Sequence, residues 1–318
     1  MKIAVLDDYQ RVARQYADWG SLKGATVTFF DQPFASTADA AKKLKPFDAV
    51  CLMRERTAFP RALIEKLPNL KFMSLTGARS PSLDTQACKE RGIPVSHTRS
   101  AGGGTSTVEL AWGLIISAMR GLARGEHNMR EGKWHEKLAA GFSLDKKRLG
   151  VLGLGNIGAR VAAIGKAFGM EVAAWSSNLT EEKARQAGVL FVSKEDLFAK
   201  SDVVTIHLVL GDRTRGLVAA ADLERMRPGA VLVNTSRGPI IVEKDLLKTL
   251  KKGKIHAALD VYDHEPLPKS HPLRKLSNVT LSPHLGYVHD DNYRIFYGDS
   301  VENVAAWMTG RPVRVINP

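Results

Sequence analysis

The sequence predicts an α/β protein built from two doubly wound parallel-sheet domains, the second inserted into the first. Short apolar runs alternate with segments of helical period through most of the chain, the pattern of consecutive βαβ units. At 318 residues the chain exceeds the size at which one hydrophobic core keeps growing. The alternation breaks once, at Ser100-Ala101-Gly102-Gly103-Gly104, and then resumes. The expected division is 1–100 with 286–318 for one domain and 101–285 for the other.

In chain order, the first domain has strand candidates at Lys2–Leu6, Thr26–Phe30, Ala49–Met53, Phe72–Leu75 and Pro94–Ser96. Between them helical spacing predicts Ala13–Trp19, Ala38–Leu44, Arg61–Leu67 and Leu83–Arg91. After the glycine stretch a long apolar helix is expected over Thr107–Arg124, with Ser106 and Glu109 reading as a capping box. Strands follow at Leu149–Leu152, Glu171–Trp175, Leu190–Val192, Val203–His207, Ala230–Asn234, Ala257–Asp260 and Val279–Ser282. The chain closes with a helix over Asp291–Thr309 and an extended Pro312–Ile316.

Composition narrows the class of partner. There are 46 Lys+Arg against 33 Asp+Glu, a formal charge of +13, which invites a polyanion as partner. The excess is scattered, with 16 basic and 10 acidic residues in 1–100, 14 and 10 in 101–200, and 16 and 13 in the remainder. A scattered excess is a property of solvated surface, so neither nucleic acid nor membrane is expected as a partner. The longest charge-free helical stretch, Leu110–Met119, is half of the ~20 residues a membrane span needs. Met1-Lys2-Ile3-Ala4-Val5-Leu6-Asp7-Asp8 turns acidic too early for a signal peptide. The two cysteines, Cys51 and Cys88, do not form a disulfide framework, and a cytoplasmic location is expected.

The strand Leu149–Leu152 runs into Gly153-Leu154-Gly155-Asn156-Ile157-Gly158, and a helical pattern follows from Ala159. In that context a G-x-G-x-x-G run reads as a dinucleotide-binding turn of Rossmann type. Gly153 makes the tight turn, Gly155 lets the backbone approach a pyrophosphate, and Gly158 lets helix and strand pack closely. Amide groups of the helix start then face the anion. The next strand should end in an acid that binds the adenosine ribose of NAD, but the chain reads Ser176-Ser177-Asn178. Nothing there repels a 2′-phosphate, so both NAD(H) and NADP(H) are expected as cofactors, with a weak lean to NADP(H).

Three polar residues stand just after apolar strands of the same half: Arg237, Glu265 and His284. Singly, they read as a surface ion pair, a solvated loop acid and a satisfied histidine. Carboxyl ends of strands are where open α/β sheets bind ligands, and behind a dinucleotide turn the three together read as catalytic. His284 and His289, beside Asp290 and Asp291, lack the spacing of a metal site, and none is expected.

These motifs resemble one family. Gly153–Gly158, Asn234-Thr235-Ser236-Arg237-Gly238, Asp260-Val261-Tyr262-Asp263-His264-Glu265-Pro266 and Ser282-Pro283-His284-Leu285-Gly286-Tyr287 occur in the order and spacing of the D-isomer-specific 2-hydroxyacid dehydrogenases. Arg54-Glu55-Arg56-Thr57, Gly132-Lys133-Trp134 and Gly310-Arg311-Pro312-Val313 extend the resemblance over nearly the whole chain. It implies hydride transfer between a nicotinamide dinucleotide and a small 2-oxo or D-2-hydroxy acid. Arg237 would grip the carboxylate and 2-oxo oxygen, which lysine could not do bidentately. His284 would donate and accept the proton, and Glu265 would stabilise its imidazolium.

By the same resemblance Asp260 would hold the nicotinamide carboxamide, Thr107 would stand against the nicotinamide, and Leu208 and Val209, after His207 of the cofactor set, would form the apolar wall on which the adenine rests. Thr235 joins the cofactor set. The loop Thr76-Gly77-Ala78-Arg79-Ser80 takes the place of the family's carboxylate-binding Gly-x-Gly, with Arg79 where the second glycine usually stands. Gly77, Ala78, Arg79 and Arg54 are therefore the substrate candidates, and either arginine could select a distal negative charge. The helix after residue 105 resembles a dimerisation arm, so a homodimer is expected. The alternative is a dinucleotide-sensing regulator of corepressor type on the same fold; turnover of 2-oxo acids separates the two.

Overall fold

The computed structural model describes residues 1–317 and divides into two compact units, Met1–Gly102 with the segment from His289 onward, and Gly103–Val288. In the first, five strands alternate with helices: β1 (Lys2–Val5), α1 (Ala13–Tyr16), β2 (Thr26–Phe29), α2 (Thr37–Leu44), β3 (Ala49–Leu52), α3 (Arg61–Ile64), β4 (Phe72–Leu75), α4 (Thr85–Glu90) and β5 (Val95–His97). They form one parallel sheet in the order β2-β1-β3-β4-β5. β3 and β4 are buried at every position, as strands covered on both faces must be. The C-terminal helix of the chain packs on α1, β4 and β5, and Ile316 donates its N–H to Val95 O, so the last residues edge β5.

The second unit opens with α5 (Thr105–Arg120) and α6 (Leu122–Arg130). It continues through β6 (Arg148–Leu152), α7 (Asn156–Ala167), β7 (Glu171–Trp175), α8 (Glu181–Gln186), β8 (Leu190–Phe191), α9 (Lys194–Lys200), β9 (Val203–Ile206), α10 (Ala220–Arg225), β10 (Val231–Asn234), α11 (Glu243–Lys251), β11 (His256–Leu259) and β12 (Val279–Leu281); α12 (Asp290–Met308) belongs to the first unit. The parallel sheet runs β12-β11-β10-β9-β6-β7-β8. The chain leaves β6 in one direction through β7 and β8, then crosses back to β9, which makes the gap between the carboxyl ends of β6 and β9 the topological switch point. This is the doubly wound class that the alternation of apolar runs predicts.

Two local expectations fail. Ser106 and Glu109 do not cap the long helix: α5 begins at Thr105, Gly104 takes the N-cap position at φ 91°, and Glu109 is exposed. Ser106 lies inside the first turn and donates its hydroxyl to Gly286 O at 2.8 Å. The helix also does not run unbroken to Arg124. Gly121 adopts φ 65°, a conformation costly for a residue with a Cβ, and so separates α5 from α6.

Both cysteines are buried, and burial pushes the Cys51 thiol up to about 12 and the Cys88 thiol up to about 11, which removes both as nucleophiles. Among the described residues no helix is long and apolar enough to cross a membrane, and no cluster of His, Cys, Asp and Glu is placed to hold a metal ion.

Candidate active site

The glycine turn sits at the switch point. Gly153, at φ 104°, donates its N–H to Trp175 O at 2.8 Å, and a Cβ there would lie 2.5 Å from His207 O. A Cβ on Gly158 would lie 1.9 Å from Gly153 O, so helix α7 can approach β6 only without a side chain. Gly155 differs: a Cβ there would meet nothing within 4 Å. It is the N-cap of α7, with no side chain capping the helix. An open space at an uncapped helix start fits a pyrophosphate, whose charge the helix dipole and first-turn amides favour. Asn156 donates Nδ2–H to Gly103 O at 2.6 Å, which spends its side chain on the adjoining loop.

Around the turn stand the other cofactor candidates. Ser176 is half-buried, and Ser177 and Asn178 are exposed after β7. His207, after β9, pairs Nε2 with Thr205 Oγ1 at 2.8 Å. Burial brings its pKa down to about 4, so the ring is neutral at pH 7. His207 Nδ1 and Thr235 Oγ1 are buried polar atoms without a protein hydrogen-bond partner, at the ends of the neighbouring strands β9 and β10. Such orphans call for a polar ligand, and a dinucleotide supplies one. Leu208 is half-buried, while Val209 is 87% exposed.

After β10 the chain makes a tight polar corner. Asn234 is buried, accepts the Ser236 N–H at 3.0 Å, and donates Nδ2–H to Arg237 O at 2.9 Å. Ser236 donates its hydroxyl to Ile206 O at 2.7 Å. Gly238 follows because a Cβ there would strike the backbone of Tyr262 at 2.2 Å. Arg237 is thus presented, half-buried, from a backbone held on both sides.

Glu265 and His284 meet. His284 Nδ1 lies 2.5 Å from Glu265 Oε2, and Glu265 Oε1 accepts the Tyr262 N–H at 3.0 Å. A carboxylate can only accept, so the ring carries its proton on Nδ1. His284 is at φ 55°, and its ring makes a T-shaped contact with Tyr287, the ring centroids 5.6 Å apart. Asp260, 0% exposed, anchors the loop that bears His284: its carboxylate accepts from Ser282 Oγ at 2.6 Å, Leu285 N at 2.7 Å and Gly286 N at 3.0 Å. Burial still holds its carboxyl above the usual range against those donors. Ser106 and Thr107, at 2.8 and 2.9 Å, both donate to Gly286 O from the start of α5.

In the first unit Arg54, at φ 53°, donates its N–H to Thr76 Oγ1 at 2.7 Å and extends Nη1 along Gly77, where a Cβ would come within 2.0 Å of it. Gly77 is buried at φ 79° and donates to Thr98 Oγ1 at 2.9 Å; Ala78 and Arg79 are exposed. Arg54 and Gly77 are brought together, and Arg79 lies on the surface beyond them.

Ser106, Ser282, Tyr262 and Tyr287 were not among the sequence candidates. Ser282 and Tyr287 flank His284 in the sequence, which is a usable signal. The bonds from Ser106 to Gly286 and from Tyr262 to Ser282 join residues far apart in the chain and leave no local mark.

A doubly wound sheet with a glycine turn at its switch point defines the class as a dinucleotide-binding α/β protein. Comparison with known proteins resolves the family. The family model for the D-isomer specific 2-hydroxyacid dehydrogenase, NAD binding domain, matches residues 112–286. Glyoxylate reductase of Aeropyrum pernix is 36% identical over 264 residues, covering 80% of this chain and 78% of that protein. Hydroxypyruvate reductase of Blautia hydrogenotrophica is 30% identical over 331 residues, covering 100% of both. Among solved structures, a phosphoglycerate oxidoreductase from Vibrio cholerae superposes with a TM-score of 0.91 at 38% identity, covering 98% of this chain and 99% of that one. The chain belongs to the D-isomer specific 2-hydroxyacid dehydrogenases, oxidoreductases acting on CH–OH donors.

Proposed function

We propose that the protein interconverts a small 2-oxo acid and its D-2-hydroxy acid, with His284 moving the proton. The observation that carries this is the 2.5 Å Glu265–His284 pair at the carboxyl edge of the cofactor sheet. When bound, the nicotinamide supplies or accepts the hydride. With Nδ1 committed to Glu265, Nε2 gives the proton to the substrate oxygen during reduction and takes it back during oxidation. Glu265 stabilises the imidazolium and fixes the ring, oriented in turn by the Tyr262 N–H. Arg237 grips the carboxylate and polarises the 2-oxo group. Thr107, Thr235, His207, Leu208 and the Gly153–Gly158 turn hold the cofactor, and buried Asp260 serves that site through the loop it anchors.

The absence of an acid at Ser176-Ser177-Asn178 supports acceptance of NADP(H) at least as good as that of NAD(H). Arg79, with Arg54 behind it, favours substrates with a second negative charge. Exposed Leu122, Met129 and Trp134, the last 67% exposed, support a homodimer formed through α6 and the segment after it. Two buried, unpaired thiols suit a reducing, cytoplasmic location.

A panel of 2-oxo acids, beginning with glyoxylate, hydroxypyruvate and a phosphorylated 2-oxo acid, assayed with NADH and NADPH, tests the reading. Turnover of at least one acid to the D product is expected. Tight binding of the dinucleotide with no turnover across the panel would instead make the protein a regulator.

A further inference from the structure

We propose that Tyr262 is a positioning residue that holds both members of the Glu265–His284 pair in register. The inference rests on the reading of that pair as the proton-transfer machinery. Tyr262 follows β11 and is buried. Its backbone N–H donates to Glu265 Oε1 at 3.0 Å, the oxygen that does not face His284. Its phenol reaches the other way, donating to Ser282 O at 2.8 Å with Leu259 O as a second acceptor at 3.0 Å.

Those two carbonyls mark the end of a ladder. Leu259 pairs with Leu281 as the last register position of β11 and β12, and Leu259 O also accepts the Ser282 N–H at 2.8 Å. The phenol therefore adds one stitch beyond the last backbone pair, beside the bonds by which Asp260 holds Ser282, Leu285 and Gly286. Ser282 precedes Pro283 and His284 directly, and its hydroxyl is already tied to Asp260. One residue thus holds the acid by its backbone and the base's strand by its side chain. A gap of even 1 Å opening between Glu265 and His284 would weaken the pair, since catalytic geometry tolerates little displacement. The charged groups about the phenol are Asp260, Glu265 and Arg274; burial keeps the phenol in its neutral, donating form.

Tyr262→Phe keeps the ring, its apolar contacts and the backbone N–H, and removes only the stitch. In steady-state reduction of the best 2-oxo acid, kcat is expected to fall about tenfold, with KM for substrate and cofactor within about twofold. The pH dependence of the rate is expected to differ from that of wild type, because a displaced carboxylate no longer holds the proton-donating ring in place. In the resting protein the downfield proton resonance of His284 Nδ1–H is expected to move upfield or broaden. A lowered melting temperature with an unmoved pH profile and an unmoved resonance would overturn the proposal, and so would a variant that fails to fold, because the hydroxyl would then serve the fold and not the pair. The resonance needs no turnover. If the wild-type protein reduces no 2-oxo acid, the functional reading fails while the resonance still decides whether Tyr262 holds the pair.

Discussion

At Glu265 one carboxylate serves two donors, His284 Nδ1–H on one oxygen and the Tyr262 N–H on the other. Glu265→Gln keeps the size of the side chain but removes the charge and leaves one acceptor oxygen for the two donors, so either His284 or the Tyr262 N–H loses its partner. Reduction is expected to slow by about two orders of magnitude with dinucleotide affinity unchanged, as read from kcat and from a cofactor titration. Asp7 shows the opposite use of a carboxyl. It is buried at φ 60°, where its carboxylate accepts from Thr57 Oγ1 at 2.9 Å and Tyr9 Oη at 2.9 Å. Burial holds its carboxyl above the usual range, against the pull of those hydrogen bonds and of Arg56. A carboxyl raised in the folded state favours folding most in acid, and that contribution is lost as pH rises through the raised value. Asp7→Asn, which can adopt the same φ and still accept, should therefore gain melting temperature over wild type between pH 4 and pH 7; a difference constant across that range would show that burial does not strain the acid. Arg237, Glu265 and His284 are legible in the sequence because each follows an apolar run that ends a strand. The bonds from Tyr262 to Ser282 and from Thr57 to Asp7 span 20 and 50 residues. Only the pairing of strands creates them, so no local pattern announces them.

Strands were the most legible elements, since a parallel strand covered on both faces is buried throughout and mostly apolar, as β3, β4, β9 and β10 are, with Ser74, Thr205 and Asn234 as their polar positions. Helix ends were less so. Ser106 and Glu109 have the letters of a capping box, but a glycine at φ 91° starts the helix two residues earlier and the Ser106 hydroxyl finds Gly286 instead. Within the glycine turn, three identical residues do three different jobs, and two alanine variants tell them apart. Gly158→Ala would force a Cβ to 1.9 Å from a backbone oxygen that cannot step aside, costing about 1–3 kcal/mol and lowering the melting temperature even without cofactor. Gly155→Ala meets nothing within 4 Å and has φ −84°, so the cofactor-free protein should melt as wild type does while dinucleotide affinity falls. Thermal unfolding with and without NADPH measures both. Equal melting temperatures for the two variants without cofactor would contradict the packing role of Gly158.

Over the whole molecule, the +13 charge carries less information than the arrangement of the cores. Many of the cations are already engaged locally, as in Arg99 with Asp299 and Lys194 with Asp222, while Arg237, Arg54 and Arg79 are the ones that the motifs single out for small anions. The cores divide by unit. One cluster, from Ala4 and Leu6 through Phe59 and Met73 to Val95, lies wholly in the first unit. Two others lie wholly in the second, one containing Leu152, Val204 and Leu232 and the other Val151, Val203 and Val233, so adjacent residues of the same strands feed opposite faces of the sheet. Among the described residues each of these three clusters is confined to one unit, and each unit has the interior of a separate cooperative body. A dinucleotide held by the second unit stabilises that unit by mass action, by about 2.7 kcal/mol at a hundredfold excess over its dissociation constant. Hydrogen exchange should then slow in β6, β9, β10 and β11 when NADPH is added, while β1, β3 and β4 exchange as before. Equal slowing in both sheets would mean that the two cores open together, and that the chain behaves as one cooperative body despite its divided interior.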